Sequence, residues 1–213
     1  MSKTHGKFFD CPIYPITDRS LSGLSHKEQI ESIADTGVRM IQIREKHLDS
    51  GTFFKEASDS IAVTRRFGIK LIINDRVDIA MAVGADGVHL GQTDLPPVEA
   101  RKLLGDDAII GFSTHDSKQA IEALKMPIDY LAFGPVFETT TKADPDPVTG
   151  VDKLIEIRKL AGKMPLVAIG GIKTANFSKV LGAGADMAAL ISEIWTNKRE
   201  PRAVVAEFIG RSR

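Results

Sequence analysis

The chain has 213 residues, 43% of them hydrophobic and 26% charged, a length and mixture that suit one well-cored domain and exclude a disordered chain. Its 28 basic and 28 acidic residues cancel, so no net field draws it to nucleic acid or to an anionic membrane surface, and any anion site must be local. A single cysteine, Cys11, excludes an internal disulfide and a cysteine-built metal cluster.

The N-terminal stretch MSKTHGKFFDCP lacks the apolar core of a signal peptide, and no run approaches the roughly 20 apolar residues that cross a bilayer. A cytoplasmic protein is the expectation. Short apolar runs suited to buried parallel strands then recur about every 25 residues, each followed by a helical pattern polar on one side. Ile13 to Thr17 opens the series and Ser25 to Thr36 is its helix, with Ser25 and Glu28 at capping-box spacing. Met40 to Arg44 precedes the helix Thr52 to Arg66, Lys70 to Asn74 precedes Val77 to Val83, and Gly87 to Leu90 precedes Pro97 to Leu104. Ala108 to Ser113 pairs with Ser117 to Lys125, Tyr130 to Phe133 with Val151 to Ala161, and Leu166 to Ile169 with Ala175 to Leu181. Met187 to Ile191 and Ala203 to Gly210 close the series. Gly37, Gly68, Gly84 and Gly182 follow helical stretches, where a left-handed residue closes the last turn. Eight strand–helix units without a linker predict a single (β/α)8 barrel over residues 1–213, rather than a doubly wound sheet. Gly84-Ala85-Asp86 and Gly184-Ala185-Asp186 each precede a strand and read as a repeated helix-to-strand turn.

Active sites of such barrels sit at the C-terminal ends of the strands, so the residues that follow each apolar run carry the chemistry. After the second strand, alternation sends Gln42, Arg44 and Lys46 of Gln42-Ile43-Arg44-Glu45-Lys46 to one side. The third strand ends in Asn74-Asp75 and the fourth in Gly91-Gln92-Thr93-Asp94, so two carboxylates terminate neighbouring strands. Jointly, Asp75 and Asp94 suit magnesium, which is held by one or two carboxylates plus substrate phosphate oxygens; singly, each is equally a helix N-cap. Ser113 either donates to a ligand or caps the helix near Asp116. His89 and His115 read as structural histidines. The long loop after the sixth strand, with Thr139, Thr140, Thr141 and Lys142, offers phosphate ligands, and Phe137 is placed to shield the site. Gly171, Ile191 and Ser192, after strands seven and eight, fit the backbone phosphate site common to such barrels.

These stretches, with Pro15-Ile16-Thr17-Asp18-Arg19, His89-Leu90-Gly91-Gln92-Thr93-Asp94, Gly134-Pro135 and Gly170-Gly171, resemble thiamine-phosphate synthase over nearly the whole chain. The resemblance implies a transferase that joins 4-amino-2-methyl-5-(diphosphooxymethyl)pyrimidine to a thiazole phosphate and releases diphosphate. It implies that Gln42, Ile43, Arg44, Glu45, Lys46, Asn74, Ser113 and Lys142 hold the pyrimidine diphosphate, with Arg44, Lys46, Ser113 and Lys142 acting in catalysis. It further implies magnesium on Asp75 and Asp94, and the thiazole phosphate on Thr139, Thr140, Thr141, Gly171, Ile191 and Ser192. Departures from the family pattern at Pro15 and at Met187-Ala188-Ala189-Leu190 are apolar, and Met187 and Phe112 are the residues placed to reshape the pocket. Rival readings are a thiazole tautomerase, which lacks most of the diphosphate set, and a non-catalytic precursor-binding barrel. Phe8, Phe9 and apolar outer helix faces are candidate surfaces for a homo-oligomer.

Overall fold

The computed structural model describes residues 9–139, 141 and 146–211. It contains β1 (Ile13–Thr17), α1 (Arg19–Ser22), α2 (His26–Ile33) with a 3-10 turn at Ala34–Thr36, β2 (Met40–Ile43), α3 (Ser50–Phe67), β3 (Lys70–Asn74) and α4 (Val77–Val83). There follow β4 (Gly87–Leu90), α5 (Pro97–Leu104), β5 (Ile109–Thr114), α6 (Ser117–Ala123), β6 (Tyr130–Phe133) and α7 (Gly150–Ala161). The chain ends with β7 (Leu166–Ala168), α8 (Phe177–Gly182), β8 (Met187–Leu190), α9 (Ser192–Trp195) and α10 (Pro201–Gly210). All eight strands run parallel, each beside its sequence neighbours, and β1 pairs with β8 to close a (β/α)8 barrel.

The strands look like unbroken apolar runs because both of their faces are buried. One face carries Ile41, Ile43, Leu71, Ile73, Val88 and Leu90 into the layer beneath the helices, against Ile30, Phe53, Leu154 and Phe177. The other fills the barrel interior with Tyr14, Met40, Ile72, Ile109, Tyr130 and Met187. Alternation along β5 turns Gly111 and Ser113 inward and Phe112 outward, so Phe112 belongs to the helix layer and only Met187 faces the lumen. Phe9 also belongs inside: its ring meets Tyr130 edge-on at 6.1 Å between centroids, which removes it from the outer surface, while Phe8 lies outside the described residues.

The capping box at Ser25 and Glu28 forms, and Gly37, Gly68 and Gly84 take the left-handed conformation that ends a helix. Gly182 instead lies inside α8, and the left-handed residue is Gly184 at φ 97°. The unforeseen α1 and α9 are single turns, too short for a periodic signal; Asp18 caps α1 by accepting from the Leu21 N–H at 3.2 Å.

At the N-terminal face the Gly-Ala-Asp turns reveal their purpose. Asp86 accepts the backbone N–H of Leu71 at 2.9 Å and pairs with Lys70 at 2.6 Å; Asp186 accepts that of Leu166 at 2.7 Å and pairs with Arg158 at 2.8 Å. Asp129, without the Gly-Ala signature, does the same for Ile110 at 2.8 Å and Arg101 at 2.7 Å. Each aspartate thus ties the start of its strand to the preceding one. Asp129→Ala would leave the Ile110 N–H without its acceptor and the Arg101 side chain, 15% exposed, with backbone carbonyls such as Ala108 O and Pro127 O but no counter-charge, at a cost of about 2 kcal/mol. A melting midpoint lower by roughly 4–8 °C with unchanged turnover is the expected result, since stability and catalysis sit at opposite faces. Calorimetry beside a turnover assay checks it, and loss of turnover without loss of stability would contradict it.

Candidate active site

Gln42, Arg44 and Lys46 leave β2 on the side of the barrel mouth, as alternation requires. Gln42 Nε2 donates to Tyr14 Oη at 3.0 Å, Arg44 Nη1 to Asp18 Oδ2 at 2.9 Å, and Lys46 Nζ to Asp75 Oδ2. The side chains of Ile43 and Glu45 do not join them. Ile43 lies in the layer beneath the helices, and Glu45 folds back to accept the backbone N–H groups of Lys46 at 2.8 Å, His47 at 2.7 Å and Leu48 at 3.3 Å. Glu45 also meets His26 Nε2 at 3.3 Å, so it moulds the turn that carries Lys46. Burial raises its carboxyl, but the N–H groups of His47 and Lys46, with His26, outweigh that and hold it below its ordinary value.

Asn74 ends β3 almost wholly buried, and the chain then turns sharply. Asp75 has φ 62°, the one positive value at a non-glycine among the described residues, and its N–H donates to His89 O at 2.8 Å. Such a conformation is costly unless the surroundings impose it, and it clusters at functional sites. It aims the Asp75 carboxylate at Lys46 and Asp94 instead of at α4, whose N-cap position is Arg76 with no side-chain bond. Asp94 accepts from the Gly91 N–H at 2.7 Å, and α5 is started by Pro96 and Pro97, so neither aspartate caps a helix. Burial first, then the adjacent Asp75 carboxylate, raise the Asp94 carboxyl above its ordinary value, against the Gly91 N–H and Lys46. Two carboxylates therefore crowd one another, with Lys46 paired to Asp75 beside them. Among the described residues no group of three or more His, Cys, Asp or Glu could hold a metal ion, so a cation here needs oxygens from a substrate.

Beside this pair runs a buried polar chain that the sequence did not announce. His89 Nε2 lies 2.8 Å from Ser113 Oγ and Nδ1 lies 2.9 Å from Tyr130 Oη, with the two rings stacked at 5.5 Å. Tyr130 Oη is 3.0 Å from Tyr14 Oη, which Gln42 in turn meets. Ser113 does not cap α6, because Asp116 does so through the Gln119 N–H at 2.8 Å. The one available signal was that the chain's two tyrosines both occupy inward strand positions, where a hydroxyl must find a partner.

Burial holds the His89 pKa at about 4, below its ordinary 6.5, and burial likewise lowers His26. The unfolded chain therefore binds protons that the folded one refuses, and stability is lost as pH falls from 6.5 toward 4. The expected slope across that window is about 1.4 kcal/mol per pH unit for His89, with His26 adding in the same direction. Urea unfolding at stepped pH should show it, and His89→Gln should flatten it; an equal slope in that variant would contradict the assignment.

On the opposite arc, Gly134 to Glu138 runs beside the exit of β7: Val136 N donates to Ile169 O at 2.9 Å and Phe137 N to Gly170 O at 3.1 Å. Gly170 and Gly171 have φ 99° and 61°, and a Cβ on either would strike Pro135 or Glu138, so the glycine pair is what lets the loop lie close. Thr139 is half-buried and its hydroxyl accepts the Thr141 N–H at 3.3 Å; Thr140 and Lys142 lie outside the described residues. His115 Nδ1 is 2.7 Å from Gly134 O, a structural role. Asn176 holds Gly171 O at 3.0 Å, and α9 begins at Ser192 directly after Ile191, at the exit of β8, the strand that pairs with β7. Ile194 N makes the first bond of this turn, to Ile191 O at 3.0 Å, so the N–H groups of Ser192 and Glu193 precede any intrahelical partner. Trp195 Nε1, donating to Ile16 O at 2.7 Å, anchors this turn to β1.

The mouth thus has two polar arcs, one of charged side chains over β2 to β5 and one of backbone groups over β6 to β8. The family model described as thiamine monophosphate synthase matches residues 13–194. A thiamine-phosphate synthase of Syntrophomonas wolfei is 47% identical over 186 residues, 87% of this chain and 88% of that one. One of Clostridium tetani is 40% identical over 207 residues, 97% of this chain and 98% of that one. A solved structure of a thiamine phosphate pyrophosphorylase from Pyrococcus furiosus superposes with a TM-score of 0.85 at 32% identity, covering 97% of this chain and 98% of the other.

Proposed function

The chain belongs to the thiamine monophosphate synthase family, transferases that join an aminopyrimidine methyl diphosphate to a thiazole phosphate, and we propose that it does so by dissociative loss of diphosphate assisted by magnesium on Asp75 and Asp94. The observation that carries this reading is the crowded pair of carboxylates at the exits of β3 and β4, beside Lys46. That donor set fits a hard cation completed by phosphate oxygens. When bound, magnesium would supply neutralisation of the charge that grows on the departing diphosphate.

The chain's own residues do the rest. Arg44 and Lys46 stabilise the leaving oxygens, and Lys142 is proposed to join them from the loop after β6. Gln42, Asn74 and Ser113 hold the pyrimidine diphosphate over β2 to β5. Thr139, Thr140, Thr141, Gly171, Ile191 and Ser192 hold the thiazole phosphate on the other arc, through hydroxyls and backbone N–H groups. The thiazole nitrogen then faces the cationic pyrimidine carbon, so the barrel contributes positioning and electrostatics and needs no protein nucleophile. His89 fits such a mechanism, because it stays neutral and is committed to Tyr130 and Ser113.

No helix of the described residues is long and apolar enough to cross a membrane, and phosphorylated substrates with a lone cysteine fit a cytoplasmic enzyme. Purified protein given both precursors should release diphosphate and form thiamine phosphate with magnesium, and stop when the metal is chelated. Turnover indifferent to chelation would remove the metal site; thiazole isomerisation without diphosphate release would favour the tautomerase reading.

A further inference from the structure

The buried chain Gln42, Tyr14, Tyr130, His89, Ser113 crosses the barrel interior from β2 to β5, and its members lack other hydrogen-bond partners for these side-chain atoms among the described residues. Its protons can be counted. The Gln42 amide donates to Tyr14 Oη, so the Tyr14 proton goes to Tyr130 and the Tyr130 proton to His89 Nδ1. A neutral imidazole that accepts at Nδ1 carries its proton at Nε2, which then donates to Ser113 Oγ. The Ser113 proton is left to point onward into the mouth. Run in reverse, the chain would turn the Tyr14 hydroxyl proton toward the Gln42 NH2 group, donor against donor.

We propose that Tyr14, Tyr130 and His89 are positioning residues whose one-way hydrogen-bond relay fixes the Nε2–H tautomer of His89 and so makes Ser113 a hydrogen-bond donor to the substrate diphosphate. A donor with its own lone pair already occupied by His89 presents its proton, not its lone pair, to an anion, and it does so without reorganising when the charge grows. The relay takes a neutral imidazole, since an imidazolium would turn Nδ1–H against the Tyr130 proton. Gly111 is part of the device, because a Cβ there would occupy the space of the Tyr130 ring. The inference rests on the reading that places Ser113 at the diphosphate.

The test uses nitrogen-15 histidine spectra of the intact protein and calorimetric binding of inorganic diphosphate with magnesium. His89 in the wild type is expected as the Nε2–H tautomer. Tyr130→Phe keeps the ring but removes the proton offered to Nδ1, so the tautomers should mix, and diphosphate affinity should fall roughly tenfold. Ser113→Ala should lose a similar factor, and the double variant no more than either alone, because both remove the same bond. Gln42→Glu replaces the donor at the head of the relay with an acceptor and should turn His89 toward the Nδ1–H form. An Nδ1–H tautomer in the wild type, or an unchanged tautomer in Tyr130→Phe, overturns the relay. If the tautomers behave as stated but Ser113→Ala binds diphosphate as the wild type does, the placement of Ser113 falls instead, and the proposal falls with it.

Discussion

Asp94→Asn is expected to lower the rate of diphosphate release about 10²–10³-fold, the range for losing one preorganised electrostatic contact, while leaving the unfolding midpoint unchanged or raised. The two halves of this prediction follow from the same crowding. Asp94 is held above its ordinary carboxyl pKa by burial and by the neighbouring Asp75, so at neutral pH its charge works against the folded state. An asparagine removes that repulsion and keeps an oxygen for the Gly91 N–H. Asp75→Asn should cost a similar factor in rate, and Asn is the suitable replacement there because it tolerates the left-handed conformation at φ 62° that Ala would resist. Loss of the Lys46 pair matters little to stability, since that lysine side chain is 43% exposed. Steady-state release of diphosphate, titrated with magnesium, and thermal melts without metal provide the measurements. A variant that melts far below the wild type would show that the pair is structural; one that keeps full rate would remove both aspartates from the metal site.

What the sequence could convey followed from how each feature is encoded. Strand alternation is local, so the eight strands, the closed barrel and the common side of Gln42, Arg44 and Lys46 were all legible. The same alternation places the side chains of Ile43 and Glu45 away from that common side. Whether Asp75 and Asp94 cap helices or face each other depends on one backbone angle and on a contact across two strands, neither of which a residue string carries. The relay was hidden for a related reason. Tyr14, Gln42, His89, Ser113 and Tyr130 come from four separate strands plus β6, and only barrel closure brings β1 against the interior face of β6. Likewise Asp129 matches Asp86 and Asp186 in geometry but not in its preceding residues, so a motif search finds two of three.

Gly111→Ala is expected to be strongly destabilising. The added Cβ would overlap the ring and hydroxyl of Tyr130, with no left-handed backbone involved, so the cost is purely one of space. Overpacking ordinarily costs 1–3 kcal/mol because neighbours shift to absorb it, but Tyr130 is constrained on every side. It stacks on His89, meets Tyr14 edge-on at 5.9 Å and Phe9 at 6.1 Å, and has its hydroxyl bonded twice. Moving the ring breaks the relay, and keeping it splays β5 from β6, which pair at this very residue. A loss of about 3 kcal/mol or more follows, roughly 6–12 °C in melting midpoint, with weaker diphosphate binding in whatever folds. Tyr130→Leu combined with Gly111→Ala should recover much of the stability, since the smaller side chain vacates the overlap, but none of the binding, since no hydroxyl remains for His89. Equal recovery of both would mean that Tyr130 serves packing alone, and a near-native melt for Gly111→Ala would mean that the interior is looser than the contacts between β5 and β6 require.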